Sequence, residues 1–169
     1  MTALFPPGKG GGEGVAYGYK GKGVTIHGVV EGNGMPLNVT QTGANGDERR
    51  QVAPLLDGIS VKTGKRGRPR RRLKKIAFDK GYDDQKLRRR LRRRGIKPEI
   101  PKREYKNKPP RGRPPKKTIP RYKVERSFSW FQRKCRRLVV RWERKPACFT
   151  AFLQLAIVWL WIPKILISG

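Results

Sequence analysis

Apolar side chains recur along this chain in several distinct spacings, and each spacing predicts a different element. Residues 24–30 (VTIHGVV) and 36–42 (PLNVTQT) alternate or run in β-favouring side chains. Glu31, Gly32, Asn33 and Gly34 between them supply turn chemistry, so the two runs predict an antiparallel hairpin. Asp47 is placed to cap a helix over about residues 48–56, with Val52, Leu55 and Leu56 on one side and Arg49 and Arg50 on the other. Ile76, Ala77 and Phe78 read as a short buried strand, central to a sheet, that leaves the core at Asp79. Lys80 and Gly81 turn the chain, and Asp83 or Asp84 then caps a helix starting at Gln85. Only Leu87 and Leu91 are apolar in that helix, Gly95 stops it, and residues 96–101 (IKPEIP) return as an edge strand because Pro98 would interrupt a central ladder.

The last third changes period. Val124, Phe128, Phe131, Cys135 and Leu138 lay a continuous stripe along one long helix over residues 121–137. Residues 147–162 (ACFTAFLQLAIVWLWI) carry no charge and predict a buried helix packed on the sheet and on the preceding helix. The run is shorter than the roughly 20 apolar residues a bilayer requires, and Pro163 and Lys164 interrupt it, so no membrane partner is expected. Its excess of apolar side chains predicts a covering segment.

Composition narrows the partners. A chain of 169 residues is about one domain in size. Forty-two Lys and Arg against 12 Asp and Glu give a net charge of +30, which calls for a densely anionic partner such as a phosphodiester backbone or an anionic lipid surface. Residues 1–23 are glycine-rich and predict a flexible arm; GKGGGEG lacks the spacing of a phosphate loop. Residues 102–120 are crowded with Pro, Lys and Arg and predict an extended basic linker. RGRP occurs twice, bringing Arg66 and Arg68, then Arg111 and Arg113, into a pattern suited to a narrow minor groove or, more simply, to a solvated basic loop. Cys135 and Cys148 have no metal-ligand spacing, which predicts free thiols in a reducing cytoplasm. His27 lies in mid-strand with no triad partner at a telling spacing, which favours a structural role.

Two acids stand out against this background. An acid at the end of a core strand suits a hard divalent cation, although an Asp before Lys-Gly also simply starts a turn. Glu125 is the sole acid between Glu104 and Glu143 and sits next to the apolar stripe, where a carboxylate is costly unless a metal or an arginine compensates. Arg121, one turn earlier on the same face, is the natural ion-pair partner.

Taken in order, GMPL closing the hairpin, TGANGDE, IAFDKGYD, RRGIKPEIP and RYKVERSFSWFQRKCRRLVVRWER resemble the C-terminal part of a bacterial insertion-sequence DDE transposase, over about residues 20–162. The resemblance implies an α/β, RNase H-like mixed sheet flanked by helices. Two aspartates and one glutamate would hold two Mg2+ (or Mn2+) ions for in-line attack on a DNA phosphodiester. Residue by residue, Asp79 falls on the second acid, Glu125 on the third, and Arg121 on the arginine one turn before it, with Tyr82 and Asp83 completing the second motif. Lys134 or Arg133 falls near the family's later basic position, although the family spacing lands on Gln132. Arg66, Arg68, Arg89, Arg93, Arg111 and Arg113 are the implied DNA contacts. No apolar strand ending in Asp occurs in residues 1–24, so the resemblance predicts a chain without its first strand and first acid, inactive alone. The implied organisation is a flexible arm (1–23), a partial core (24–101), a linker (102–120) and C-terminal helices completing the domain (121–167). Expected partners are DNA, an upstream transposase segment or a second copy, in the cytoplasm at the nucleoid. The competing expectation is a non-catalytic basic nucleic-acid-binding protein, and a third is a cationic protein drawn to membranes by its C-terminal run.

Overall fold

The computed structural model describes residues 2–61, 66–69, 71, 73–101 and 122–167. Strand β3 (Gly21–Val30) organises a four-stranded antiparallel sheet with β1 (Thr2–Leu4), β2 (Ala16–Gly18) and β4 (Pro36–Gly43). The β3–β4 hairpin has the register Val24↔Gly43 through Gly28↔Val39, as the alternating pattern predicts. Its turn closes through a Gly34 N–H donated to the Glu31 carbonyl at 2.9 Å, with Gly34 at φ 91°, a conformation glycine adopts without steric cost.

Within the segment expected as a flexible arm (1–23), residues 2–18 are instead tied into the sheet. Ala3 lies opposite His27, Tyr17 lies opposite Lys22, and the Gly8 N–H donates to the Lys22 carbonyl at 3.1 Å. The glycines permit this through close backbone approach. A Cβ on Gly10 would lie 2.0 Å from the Trp142 carbonyl oxygen, so only glycine lets this loop lie against residues 141–144. There the guanidinium of Arg141, 1% exposed, donates to the Glu13 carbonyl at 2.6 Å and the Glu143 carbonyl at 2.9 Å. Burial lowers its pKa, while Glu143 and Glu13 act the other way.

A second, parallel ladder pairs β5 (Lys75–Ala77) with β6 (Lys97–Glu99), Ile76 opposite Pro98. The strand expected at the centre of a sheet therefore has one neighbour within a two-stranded sheet, where Pro98 leaves no central ladder bond missing. Helix α1 (Val52–Asp57) starts later than the apolar pattern suggested. Pro54 has no N–H to give, and the first bond of the helical type runs from Leu55 N–H to the Gln51 carbonyl at 3.1 Å. Helix α2 (Gln85–Arg93) turns Leu87 and Leu91 inward. With α1, Ile76, Phe78 and Val29, they form one apolar cluster.

Helices α3 (Tyr122–Lys134) and α4 (Pro146–Ile167) build the other cluster, with Val24, Ile26 and Val39 of the sheet. The stripe predicted along one continuous helix is broken at Cys135, and residues 136–138 form a 3-10 turn that still buries Leu138. Helix α4 continues through Pro163 and Lys164 to 22 residues, so it is long and apolar enough to cross a membrane, contrary to the expectation from residues 147–162. It is also only half a core helix. Phe149, Leu153, Ala156 and Leu160 are buried, whereas Leu155, Val158 and Trp159 face outward. The architecture is mixed α/β, with β3 giving Val29 to one cluster and Val24 and Ile26 to the other.

Candidate active site

Asp79 follows β5 and the buried Phe78, and starts a 3-10 turn, Lys80–Tyr82, by accepting the Lys80 N–H at 2.6 Å. The turn role and the strand-end position thus coexist in one side chain. Asp84 caps α2 by accepting the Leu87 N–H at 3.0 Å, satisfying one of the free donors of the first turn. At the other end Gly95, at φ 71°, donates to the Arg92 carbonyl at 2.9 Å, and Ile96 donates to the Leu91 carbonyl at 3.0 Å, a Schellman closure. Asp83 accepts from Arg88 Nε at 3.0 Å and Nη2 at 2.7 Å, and Nη2 also donates to the Ile100 carbonyl at 2.8 Å. The short strand–turn–helix unit is therefore fastened at both ends of α2.

Tyr82 is the buried residue of the 80–82 turn, its ring centroid 5.1 Å from that of Phe78. Burial pushes its phenol far above the ordinary value, and the carboxylates of Glu48, Asp79 and Asp47 push the same way. Arg49 Nε donates to the Gly81 carbonyl at 3.3 Å, so residues 47–51 dock on the turn that follows Asp79. Sequence reasoning gave Asp47 only a capping role and passed over Glu48. The signal was the pair of acids ending TGANGDE, in a chain with only 12.

Glu125 is on the first turn of α3 and is exposed. The desolvation cost expected of a carboxylate beside the core therefore does not arise, because α3 turns Ser127, Phe128 and Phe131 inward instead. Three side chains fix this helix to the β3–β4 turn. Lys123 Nζ donates to the Gly32 carbonyl at 2.6 Å, Arg126 Nη2 to the Asn33 carbonyl at 2.5 Å, and Ser127 Oγ to the Gly34 carbonyl. Lys134, exposed at the end of α3, lines a groove with Leu138 and Phe152. Arg121, Arg111 and Arg113 lie outside the described residues.

The structure thus gathers Asp79, Tyr82 and Asp83 in one unit and sets Glu125 on a helix of the other cluster. Among the described residues, no group of three or more His, Cys, Asp or Glu side chains is arranged to hold a metal ion. The donors themselves are hard carboxylate oxygens, the type Mg2+ and Mn2+ prefer. Arg89 and Arg93, one turn apart on α2, are exposed, as are Arg66 and Arg68. Arg88 and Arg94 are engaged with Asp83 and Asp57.

The family model for the transposase DDE domain matches residues 6–161. The chain belongs to the DDE transposase family. A Burkholderia cepacia protein assigned as the transposase for insertion sequence element IS402 is 40% identical to it over 129 residues, 76% of this chain and 58% of the relative. The chain therefore spans less than two thirds of that relative's length. No solved structure matches it.

Proposed function

We propose that this chain is the catalytic segment of an insertion-sequence transposase with an RNase H-like core. Asp79 and Glu125 supply two of the carboxylates that hold divalent cations against a DNA phosphodiester. The observation that carries this reading is the position of Asp79, which leaves a parallel strand pair on a clamped turn beside the exposed arginines of α2. Residues 24–101 form the first part of the catalytic body and residues 122–167 the helices that complete it, while the basic linker expected over 102–120 lies outside the described residues.

Bound Mg2+ or Mn2+ would activate water or a 3′ hydroxyl for attack and stabilise the departing oxygen. The protein's own part is positional. The Asp83–Arg88 pair and the docked residues 47–51 hold the Asp79 turn, and Tyr82 anchors that turn in the core as a neutral phenol. Lys123, Arg126 and Ser127 fix the helix bearing Glu125, with Arg121 and Lys134 in supporting roles. Arg66, Arg68, Arg89 and Arg93, with Arg111 and Arg113, contact phosphates. This reading places the protein in the cytoplasm at the nucleoid. On this reading a further acid, from an upstream segment or a second copy, completes the site, and the chain alone cuts DNA little.

The exposed Arg66, Arg68, Arg89 and Arg93 favour a second reading, a non-catalytic basic protein that binds nucleic acid through α2 and its loops. Cleavage assays with the chain joined to its upstream coding segment separate the two. Asp79→Asn and Glu125→Gln should each lower Mn2+-dependent cutting at least about a hundredfold while DNA binding persists. Cutting that is absent from the parent, or unchanged in both variants, leaves only the binding protein.

A further inference from the structure

The hairpin formed by β2 and the start of β3 ends in a tip that neither the Asp79 turn nor the arginines of α2 account for. Ala16 pairs with Gly23, Tyr17 with Lys22 and Gly18 with Gly21, which leaves Tyr19 and Lys20 as the connecting loop. The base of this hairpin is braced. A Cβ on Gly18 would lie 2.4 Å from the Ala44 carbonyl oxygen, and the Ala44 N–H donates to the Gly23 carbonyl at 3.2 Å. The tip stands in solvent, with Tyr19 fully exposed and Tyr17 75% exposed.

Two rings held in water on a braced hairpin add little to the core, and their neighbours define what they can bind. Among the described residues between 2 and 60, Tyr17 and Tyr19 are the only large apolar side chains left exposed, so no wider apolar patch accompanies them for a folded protein to cover. The charges at the tip are all positive. Lys20 is exposed in the loop, and Lys22, across the ladder from Tyr17, holds its Nζ 5.7 Å from that ring's centroid. Residues 14–30 contain no acid, and among the described residues neither lysine is in an ion pair. An aromatic face beside an unneutralised ammonium matches a nucleotide, whose base stacks on a ring while its phosphate meets a cation. Bases in a duplex already have both faces covered by their neighbours, so the match is to an unpaired stretch. We propose that the β2–β3 tip binds an unpaired DNA strand, Tyr17 and Tyr19 stacking on bases and Lys20 and Lys22 meeting the adjoining phosphates. Such a site needs the polynucleotide binding proposed above but no phosphodiester cutting.

The test uses strands of about 15 nucleotides, the upper end of what a stacking platform spans. Oligothymidylate is compared with an abasic strand that keeps every phosphate and lacks every base, and with a duplex of the same length. Binding to the full chain is read by anisotropy at about 0.3 M salt, where long-range attraction is screened. Oligothymidylate should bind at least about fivefold more tightly than the abasic strand, as one base–aromatic stack provides. Tyr17→Ala combined with Tyr19→Ala should remove that preference and leave duplex binding and far-UV circular dichroism unchanged, while Tyr17→Phe combined with Tyr19→Phe should keep it. Ultraviolet crosslinks from a strand bearing 5-iodouracil should map to Tyr17 or Tyr19. Equal binding of the abasic strand by the parent would reduce the contact to phosphates, and crosslinks confined to Trp142 or Trp159 would place the stacking elsewhere. An equal loss on the duplex in the alanine variant would remove the requirement for unpaired bases, and a larger loss on oligouridylate would assign the tip to RNA. Loss of the preference in the phenylalanine variant would show that the hydroxyls, not the rings, make the contact. Each of these five outcomes overturns the proposal. Failure of the parent to bind any strand would instead overturn the polynucleotide reading on which it stands.

Discussion

The unit that carries Asp79 and the helical layer that carries Glu125 share strand β3, yet they are held together by different means. In the first, short-range polar contacts seal the ends of each piece: Asp79 starts its turn, Asp84 caps α2 and Gly95 closes it. In the second, contacts between residues far apart in sequence dominate. Lys123, Arg126 and Ser127 reach the hairpin turn more than 90 positions earlier, and Arg141 reaches Glu13. Local sealing produces a compact unit with little apolar surface to spare, while long-range anchoring leaves one face of α4 outside the core.

The strongest challenge to this contrast is to empty a core position on each side. Phe131→Ala should cost about 3–5 kcal/mol and Leu91→Ala about 2–5 kcal/mol, both side chains being 1% exposed. Because β3 feeds both clusters, each variant should shift a single denaturant transition. Two separated transitions would show that the regions fold independently.

Acid should strain the shared strand next. His27 is fully buried, bonded through Nε2 to Thr42 at 2.8 Å, and desolvation lowers its pKa from 6.5 to about 4. Between these values the unfolded chain binds a proton that the folded chain refuses, so stability falls as pH drops from 6.5 toward 4, by up to about 3 kcal/mol. Urea titrations should show this slope, and His27→Gln should flatten it.

Removing one local seal has a smaller effect. Asp84→Ala should cost about 1 kcal/mol, measured by thermal unfolding, because the Leu87 N–H loses its acceptor. Smallest of all is Leu155→Gln on the exposed face of α4, expected within about 0.5 kcal/mol of the parent. A large loss there would mean that α4 is covered in the folded chain.

What the sequence made legible follows the same division. The hairpin and the Gly95 stop each depend on a few neighbouring residues and were readable from them, as was a carboxylate cap on α2, left open between Asp83 and Asp84. The strand pairing of residues 2–18 was not, because glycines signal freedom of the backbone and say nothing of which distant carbonyl will use it. Nor did the apolar stripe reveal the break at Cys135, since Leu138 is buried with or without a continuous helix. Asp79 was legible as a strand-end acid. Glu48 was not, because its approach to Tyr82 depends on how two turns 30-odd residues apart dock. Composition conveyed the cationic surface but not its division of labour, in which Arg88 and Arg94 serve the fold while Arg89 and Arg93 face solvent.

The buried Arg141 sets the order in which such a polypeptide can be completed. Its guanidinium joins carbonyls at positions 13 and 143, so the glycine loop has no fixed resting place until most of the chain has been made. Closing so wide a circuit is entropically slow compared with forming a hairpin. During synthesis, the sheet edge formed by residues 2–18 should therefore settle only after residues 141–144 have been made, although it leaves the ribosome well before them.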